Sequence, residues 1–330
     1  MKNNQLQGKK TTWLILLILT IITSLLMSGC NSGQKVYKVG ILSGLNFVAD
    51  STDGFKAGMN ELGYVEGENI IYDVQTTDFD MEAYNSIAAK FVEDEVDMIF
   101  VFPTEATMVA KAATEGTDIP VVFSFALVEG MGIIDSVREP GGNITGVRYP
   151  GPDFAVRRFE VLMELVPDAK NVLMPYQRGY PIVAPQLEIL RPVAEAAGVT
   201  LIDLPADNAA ELKATLPTLG EFDAILMLVE PLMVTPDSFE VVATYAAENN
   251  IPLGGAYIPG GLVLFGVDVI SFDSAKLAAP LADKVFKGTQ AGTIPVVSAD
   301  SFLTVDYQVA QQLGLKVPEG LLSLADQVVR

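Results

Sequence analysis

Cys30 is the single thiol in a 330-residue chain that contains no histidine. A Ser-His-Asp triad, a histidine general base and the usual zinc constellations are therefore out of reach. No Walker-type or G-x-G-x-x-G loop is present either. The remaining polar and aromatic groups suit holding a small molecule better than transforming it. Thr104 follows Pro103 at the start of a helical pattern, where free backbone N–H groups and the helix dipole favour an anion such as a carboxylate; a plain N-cap is the competing role. Ser43, Asn46 and Ser124 end or follow apolar runs and are weaker candidates of the same kind. Glu230 and Asp268 are candidate ammonium ligands, against a solvated carboxylate for the first and a hinge acceptor for the second. Tyr176 and Tyr257, set against Phe102 and Phe125, could sandwich a flat ligand, since stacked rings add about 0.5–1.5 kcal/mol beyond burial. Arg178 reads as a surface charge.

Such residues converge only if a scaffold gathers their loops. Apolar runs and helical periodicity alternate along the whole chain, predicting strands over 36–42, 69–75, 97–102, 119–124 and 144–147. Helices over 54–62, 81–93, 104–114 and a short one over 131–137 fall between them. After the break Pro140-Gly141-Gly142-Asn143 the same order resumes. Strands are expected over 171–175, 199–204, 224–229, 252–254, 262–267 and 302–305. The helices are expected over 154–166, 183–197, 209–219, 238–249, 272–287 and 307–313. The fold class is α/β, with two doubly wound (Rossmann-like) parallel-sheet lobes joined by a hinge. Ligands of such sheets bind beyond the strand C-terminal ends, here on facing edges of a cleft. Lobe one is expected to take residues 36–150 and 269–297, and lobe two 151–268 and 298–330.

The N-terminal stretch carries Lys2, Lys9 and Lys10, then the weakly polar to apolar run 13–26, then Met27-Ser28-Gly29-Cys30. This resembles a bacterial lipobox, with Met27 where Leu is usual. It implies a signal peptide over 1–29, diacylation of Cys30 and a tether over 30–35; an uncleaved signal anchor is the alternative. The body would then work outside the cytoplasm at a membrane surface, without a disulfide. The formal charge of −20 makes nucleic acid a poor partner, and cleavage would remove three lysines and no acid. Because the acids are scattered, they read as solubilising.

Five landmarks then occur in order. Val39-Gly40-Ile41-Leu42 opens the domain, and Gly63-Tyr64-Val65-Glu66-Gly67-Glu68-Asn69 forms a turn. Pro140-Gly141-Gly142-Asn143-Ile144-Thr145-Gly146-Val147 fits a crossover, Phe265-Gly266-Val267-Asp268 a return, and Ala310-Gln311-Gln312-Leu313-Gly314 through Pro318 a terminal helix. Together they resemble the ABC-transporter substrate-binding lipoproteins, a family with the type I periplasmic-binding-protein fold that includes aromatic amino acid binders. The resemblance implies a non-enzymatic receptor that needs no cofactor or metal. Its implied partners are an ABC permease and its ATPase, and it is expected to act as a monomer. One departure is local: Ala126-Leu127-Val128-Glu129 stands where the family commonly has T/S-D-P-V, which loosens the inference to any one amino acid. A sensory ligand-presenting domain of the same fold is the runner-up, and a two-lobed enzyme is a remote third.

Overall fold

The computed structural model describes residues 35–255 and 262–330. The first sheet contains β1 (Tyr37–Ser43), β2 (Ile70–Thr76), β3 (Met98–Phe102), β4 (Val121–Ala126), β5 (Ile144–Arg148) and β11 (Val297–Ser298). Its order is β11-β5-β4-β3-β1-β2, and every pairing is parallel. The second contains β6 (Asn171–Gln177), β7 (Thr200–Ala206), β8 (Ala224–Leu226), β9 (Leu253–Gly255), β10 (Phe265–Asp268), β12 (Phe302–Asp306) and β13 (Gln327–Val329). Its order is β13-β12-β10-β9-β8-β6-β7, parallel except for β10 against β12. The expected fold class is the one observed.

Strands β3 and β4 are apolar almost throughout and buried at every position, because helices cover both faces of a parallel sheet. On one face of the first sheet, Val39 and Ile41 pack toward α1 (Ser51–Glu61). On the other, Leu42, Ile99 and Val101 meet α2 (Met81–Glu93) and α3 (Thr104–Ala113). Asp80 starts α2 by accepting from the Glu82 and Ala83 N–H groups, an N-cap the preceding loop presents in extended conformation. The second sheet is covered by α4 (Gly151–Leu165) and α5 (Val183–Ala196) on one face. On the other lie α6 (Ala209–Thr215), the short α7 (Pro231–Val234) and α8 (Pro236–Glu248).

The chain passes between the sheets after β5, after β10 and again between β11 and β12. The return segment supplies α9 (Ser271–Lys276) and α10 (Ala279–Phe286), and the C-terminal one α11 (Tyr307–Gln312) and α12 (Glu319–Leu324). The return segment sits on a glycine face of α1. A Cβ at Gly54 would lie 2.1 Å from the Phe272 carbonyl oxygen, and one at Gly58 would lie 2.7 Å from the Ala279 Cβ.

Several expectations differ from what is observed, among them the strand expected over 224–229, which ends at Leu226. Residues 131–137 form turns and bends instead of a helix. The single helix expected over 272–287 is two, because Pro280 has no N–H for the preceding turn and its ring clashes with the carbonyl four residues back. The strand expected over 262–267 is confined to Phe265–Asp268.

Candidate functional site

Between the lobes, at the C-terminal ends of β1, β3 and β4 on one side and of β6 and β8 on the other, lies an apolar cavity. The first lobe contributes Leu45, Phe47, Phe79, Thr104, Glu105, Phe125 and Leu127, and the second Ile182, Val229, Glu230 and Val234, with Tyr149 at the crossover. The lobes meet tightly here: Val229 joins the apolar cluster of the first lobe, and the free space is only about 40 Å³. Phe47 and Phe125 also border a second, roomier compartment of about 510 Å³ that runs past Asp268 toward Thr304 and Asp306. The two together form the cleft. A larger groove of about 1080 Å³, lined by Lys35, Asp97, Asn143 and Phe286 among others, lies at the opposite, N-terminal ends of the first-lobe strands.

Phe79 and Phe125 both have φ of +50°, a left-handed conformation that costs a bulky residue about 1–3 kcal/mol. At Phe125 the register of β4 against β5 is interrupted between Phe123 and Ala126. The interruption turns the ring out of the sheet to lie 5.1 Å from the Tyr149 ring. Two aromatic rings with left-handed backbone thus share one cavity.

The polar groups are held by the ends of helices. Thr104 is the first residue of α3; its Oγ1 accepts from the Leu127 N–H at 3.0 Å, so the hydroxyl pins the loop that follows β4. Glu105, in the first turn of α3, accepts from the Tyr180 hydroxyl of the second lobe, a polar clasp across the cleft. Burial, reinforced by Glu105, pushes the Tyr180 hydroxyl pKa up, so the phenol remains a donor. Glu230 is 1 % exposed and caps α7, accepting from Leu232 at 2.8 Å and Met233 at 3.0 Å. Burial raises its pKa to about 7, with the N–H groups of Leu232, Met233 and Gln177 opposing. Near the crossover, burial raises Asp268 to about 6 despite the Arg158 guanidinium and the Tyr149 hydroxyl. Arg158 is fully buried; its Nε donates to the Val267 carbonyl at 2.8 Å and its Nη2 to Tyr149 Oη at 2.5 Å.

Of the residues singled out from sequence, Thr104, Phe125 and Glu230 line the apolar cavity, and Phe125 and Asp268 line its neighbour. Ser43 is buried at the end of β1. Asn46 lies on the exposed turn after it, where its N–H meets Asp78. Phe102 is fully buried, tilted against Phe100 at 5.9 Å. Ser124 is buried with its hydroxyl 3.2 Å from that of Ser274. Tyr176 packs on the second-lobe core, where burial and Asp203 raise its hydroxyl pKa. Arg178 pairs with Asp207 and Glu211 on the surface. Tyr257 and Cys30 lie outside the described residues. Sequence reasoning missed Phe79, Glu105, Tyr149 and Tyr180. Only Tyr149 carried a usable signal, standing before Pro150-Gly151 at the crossover.

Among the described residues no cluster of three metal-ligating side chains is present, and no helix is long and apolar enough to cross a membrane. Comparison with known proteins gives a consistent outcome. A tyrosine-binding protein of Clostridioides difficile (strain R20291) is 29% identical over 255 residues, covering 75% of this chain and 71% of that protein. An ABC domain from Streptococcus pneumonia in complex with L-Trp superposes with a TM-score of 0.79 at 22% identity, over 89% of this chain and all of the other. A ligand-free, open substrate-binding protein with adhesive properties from Clostridium difficile gives 0.73 at 24% identity, over 89% and 99%. The model of the family described as ABC transporter substrate binding protein matches residues 41–329, and the chain belongs to that family.

Proposed function

We propose that the protein is a lipid-anchored, extracytoplasmic receptor, acting as a monomer, that closes its two lobes on an amino acid with an apolar, aromatic-type side chain and delivers it to an ABC permease and its ATPase. The observation that carries the reading is the apolar cavity walled by both lobes, with Phe79 and Phe125 held in it at positive φ. Its free volume of about 40 Å³ has no room for such a ligand, so binding couples to separation and reclosure of the lobes. The lobes, 36–150 with 269–297 and 151–268 with 298–330, pivot at the crossings near 150, 268 and 298. Phe125 stacks on the ligand body, Thr104 and Glu230 flank it, and Asp268 faces the adjoining compartment. Anchoring through Cys30 follows from the lipobox resemblance, and the names of the relatives support the amino acid class.

The test is a thermal-shift series on the purified full chain with aromatic amino acids, aliphatic amino acids, nucleosides and sugars. One aromatic amino acid is expected to raise Tm, as binding to the native state alone requires: about 2.7 kcal/mol at a ligand concentration a hundred times Kd. A rise with a sugar or nucleoside and none with any amino acid overturns the ligand class.

A further inference from the structure

We infer that the cleft recognises an ammonium group and an apolar body without needing a carboxylate, so that the protein also binds arylalkylamines. The inference rests on the reading above that this cleft is the ligand site.

The first argument is charge. The two compartments of the cleft are lined by the carboxylates Glu105, Glu230, Asp268 and Asp306, and among the described lining residues none is Lys or Arg. Arg158 lines neither compartment; it is fully buried, spends Nε and Nη2 on Val267 and Tyr149, leaves Nη1 without a hydrogen-bond partner and faces Asp268. A zwitterion entering this cleft gains at its ammonium and loses at its carboxylate. A dry site enlarges both effects.

The second is the helix end that would otherwise take a carboxylate. The N-terminus of α3 already carries an acid of its own, Glu105, in its first turn. The hydroxyl of Thr104 is engaged by the Leu127 N–H, which brings the loop after β4 to that end of the helix. The first turn of the helix thus already carries an acidic side chain before any ligand arrives.

The third is the hydrogen-bond inventory. Gln186 is fully buried; its Nε2 donates to the carbonyls of Ile182 at 2.9 Å and Val229 at 3.2 Å, both cavity-lining residues, and its Oε1 has no partner. Gln177, whose backbone N–H supports Glu230, likewise has a buried Oε1 without a partner. Two unpartnered amide acceptors thus lie behind the cavity wall, against one unpartnered donor, Arg158 Nη1, beside Asp268. An ammonium brings three donors and no acceptor, whereas a carboxylate brings acceptors only.

The experiment is isothermal titration calorimetry of the purified full chain in detergent with matched probes: tyramine and tyrosine, tryptamine and tryptophan, phenethylamine and phenylalanine, and the three N-acetyl amino acids. For the pair that binds best, the amine is expected within tenfold of its amino acid in Kd, and the N-acetyl compound is expected to show no heat. An amine more than tenfold weaker than its amino acid overturns the inference while leaving the amino acid reading standing, and shows that the carboxylate finds a donor in the cleft. Absence of binding by all nine compounds overturns both. Glu105→Gln and Glu230→Gln, each checked for folding by thermal melting, are expected to weaken the amine at least tenfold in at least one variant. Unchanged amine affinity in both folded variants also overturns the inference.

Discussion

Replacing Glu230 by Gln changes how stability depends on pH, and the structure fixes the sign. Glu230 is a buried carboxyl whose pKa is raised by burial from 4.5 to about 7 in the folded protein. Folding therefore favours its protonated form. Its contribution is fully present below pH 4.5, declines as pH rises and is lost above about 7. The difference between those two values corresponds to about 3 kcal/mol, an upper figure because a charged carboxylate can draw in water or reorient. Other titrating groups, Asp268 among them, act in both proteins and cancel in a comparison. The assay is urea denaturation of wild type and Glu230→Gln at pH 4.5, 6, 7 and 8. Gln keeps an acceptor for the Leu232 or Met233 N–H, so the variant is expected to be the less stable protein at pH 4.5 by about 1 kcal/mol. Its deficit then shrinks and reverses by pH 8. A constant difference across the range would refute the reasoning, because it would mean that Glu230 titrates alike in the folded and unfolded chains.

Three further outcomes are expected. Gly54→Ala removes a helix-weakening glycine, a gain of about 1 kcal/mol in isolation, yet places a Cβ 2.1 Å from the Phe272 carbonyl. Tm is expected to fall, with overpacking costing about 1–3 kcal/mol or more; a rise would show that α9 is not seated on α1. Tyr180→Phe removes the hydrogen bond to Glu105 across the cleft. It is expected to weaken ligand binding about fivefold, at about 1 kcal/mol for the bond, and to increase the radius of gyration of the ligand-free protein in X-ray scattering. Phe125→Gly and Phe125→Ala both remove the ring and are expected to abolish binding of an aromatic ligand. Only Ala must still pay for φ of +50°, so the glycine variant is expected to be more stable by about 1 kcal/mol in thermal denaturation.

The two-sheet architecture was readable because buried parallel strands have a simple signature: five or six apolar residues between turn signals, as in 98–102 and 121–126, with helical periodicity between them. What escaped notice lacked any signature. Strand β11 is two exposed residues whose pairing partner, β5, is about 150 positions earlier in the chain. The short helix α7 is visible only once Glu230 is seen to cap it. In sequence Glu105 is indistinguishable from an ordinary first-turn acid complementing the α3 dipole. Its contact with Tyr180 spans 75 residues and depends on how the lobes meet.

The two phenylalanines set against the tyrosines show why the site was only half legible. Phe102 stands two residues after Phe100, so strand alternation puts both rings on the same face. There Phe55 of α1 stacks on Phe100 at 4.0 Å, and Phe102 is buried in the same apolar cluster. Its place in the core was thus deducible from period-two spacing alone. Phe125 stands two residues after Phe123, and the same rule would bury it on the face where Phe123 packs with Val101 and Ile99. It does not go there. The shift in register between Phe123 and Ala126 and the positive φ at Phe125 send its ring to the opposite cluster, beside Tyr149. No glycine announces that turn in the sequence, because the position must carry a ring as well as an unfavourable backbone. The contact with Tyr149, at the crossover between the lobes, offsets part of that strain, so the residue that breaks the alternation rule is one whose place depends on how the chain crosses between the sheets.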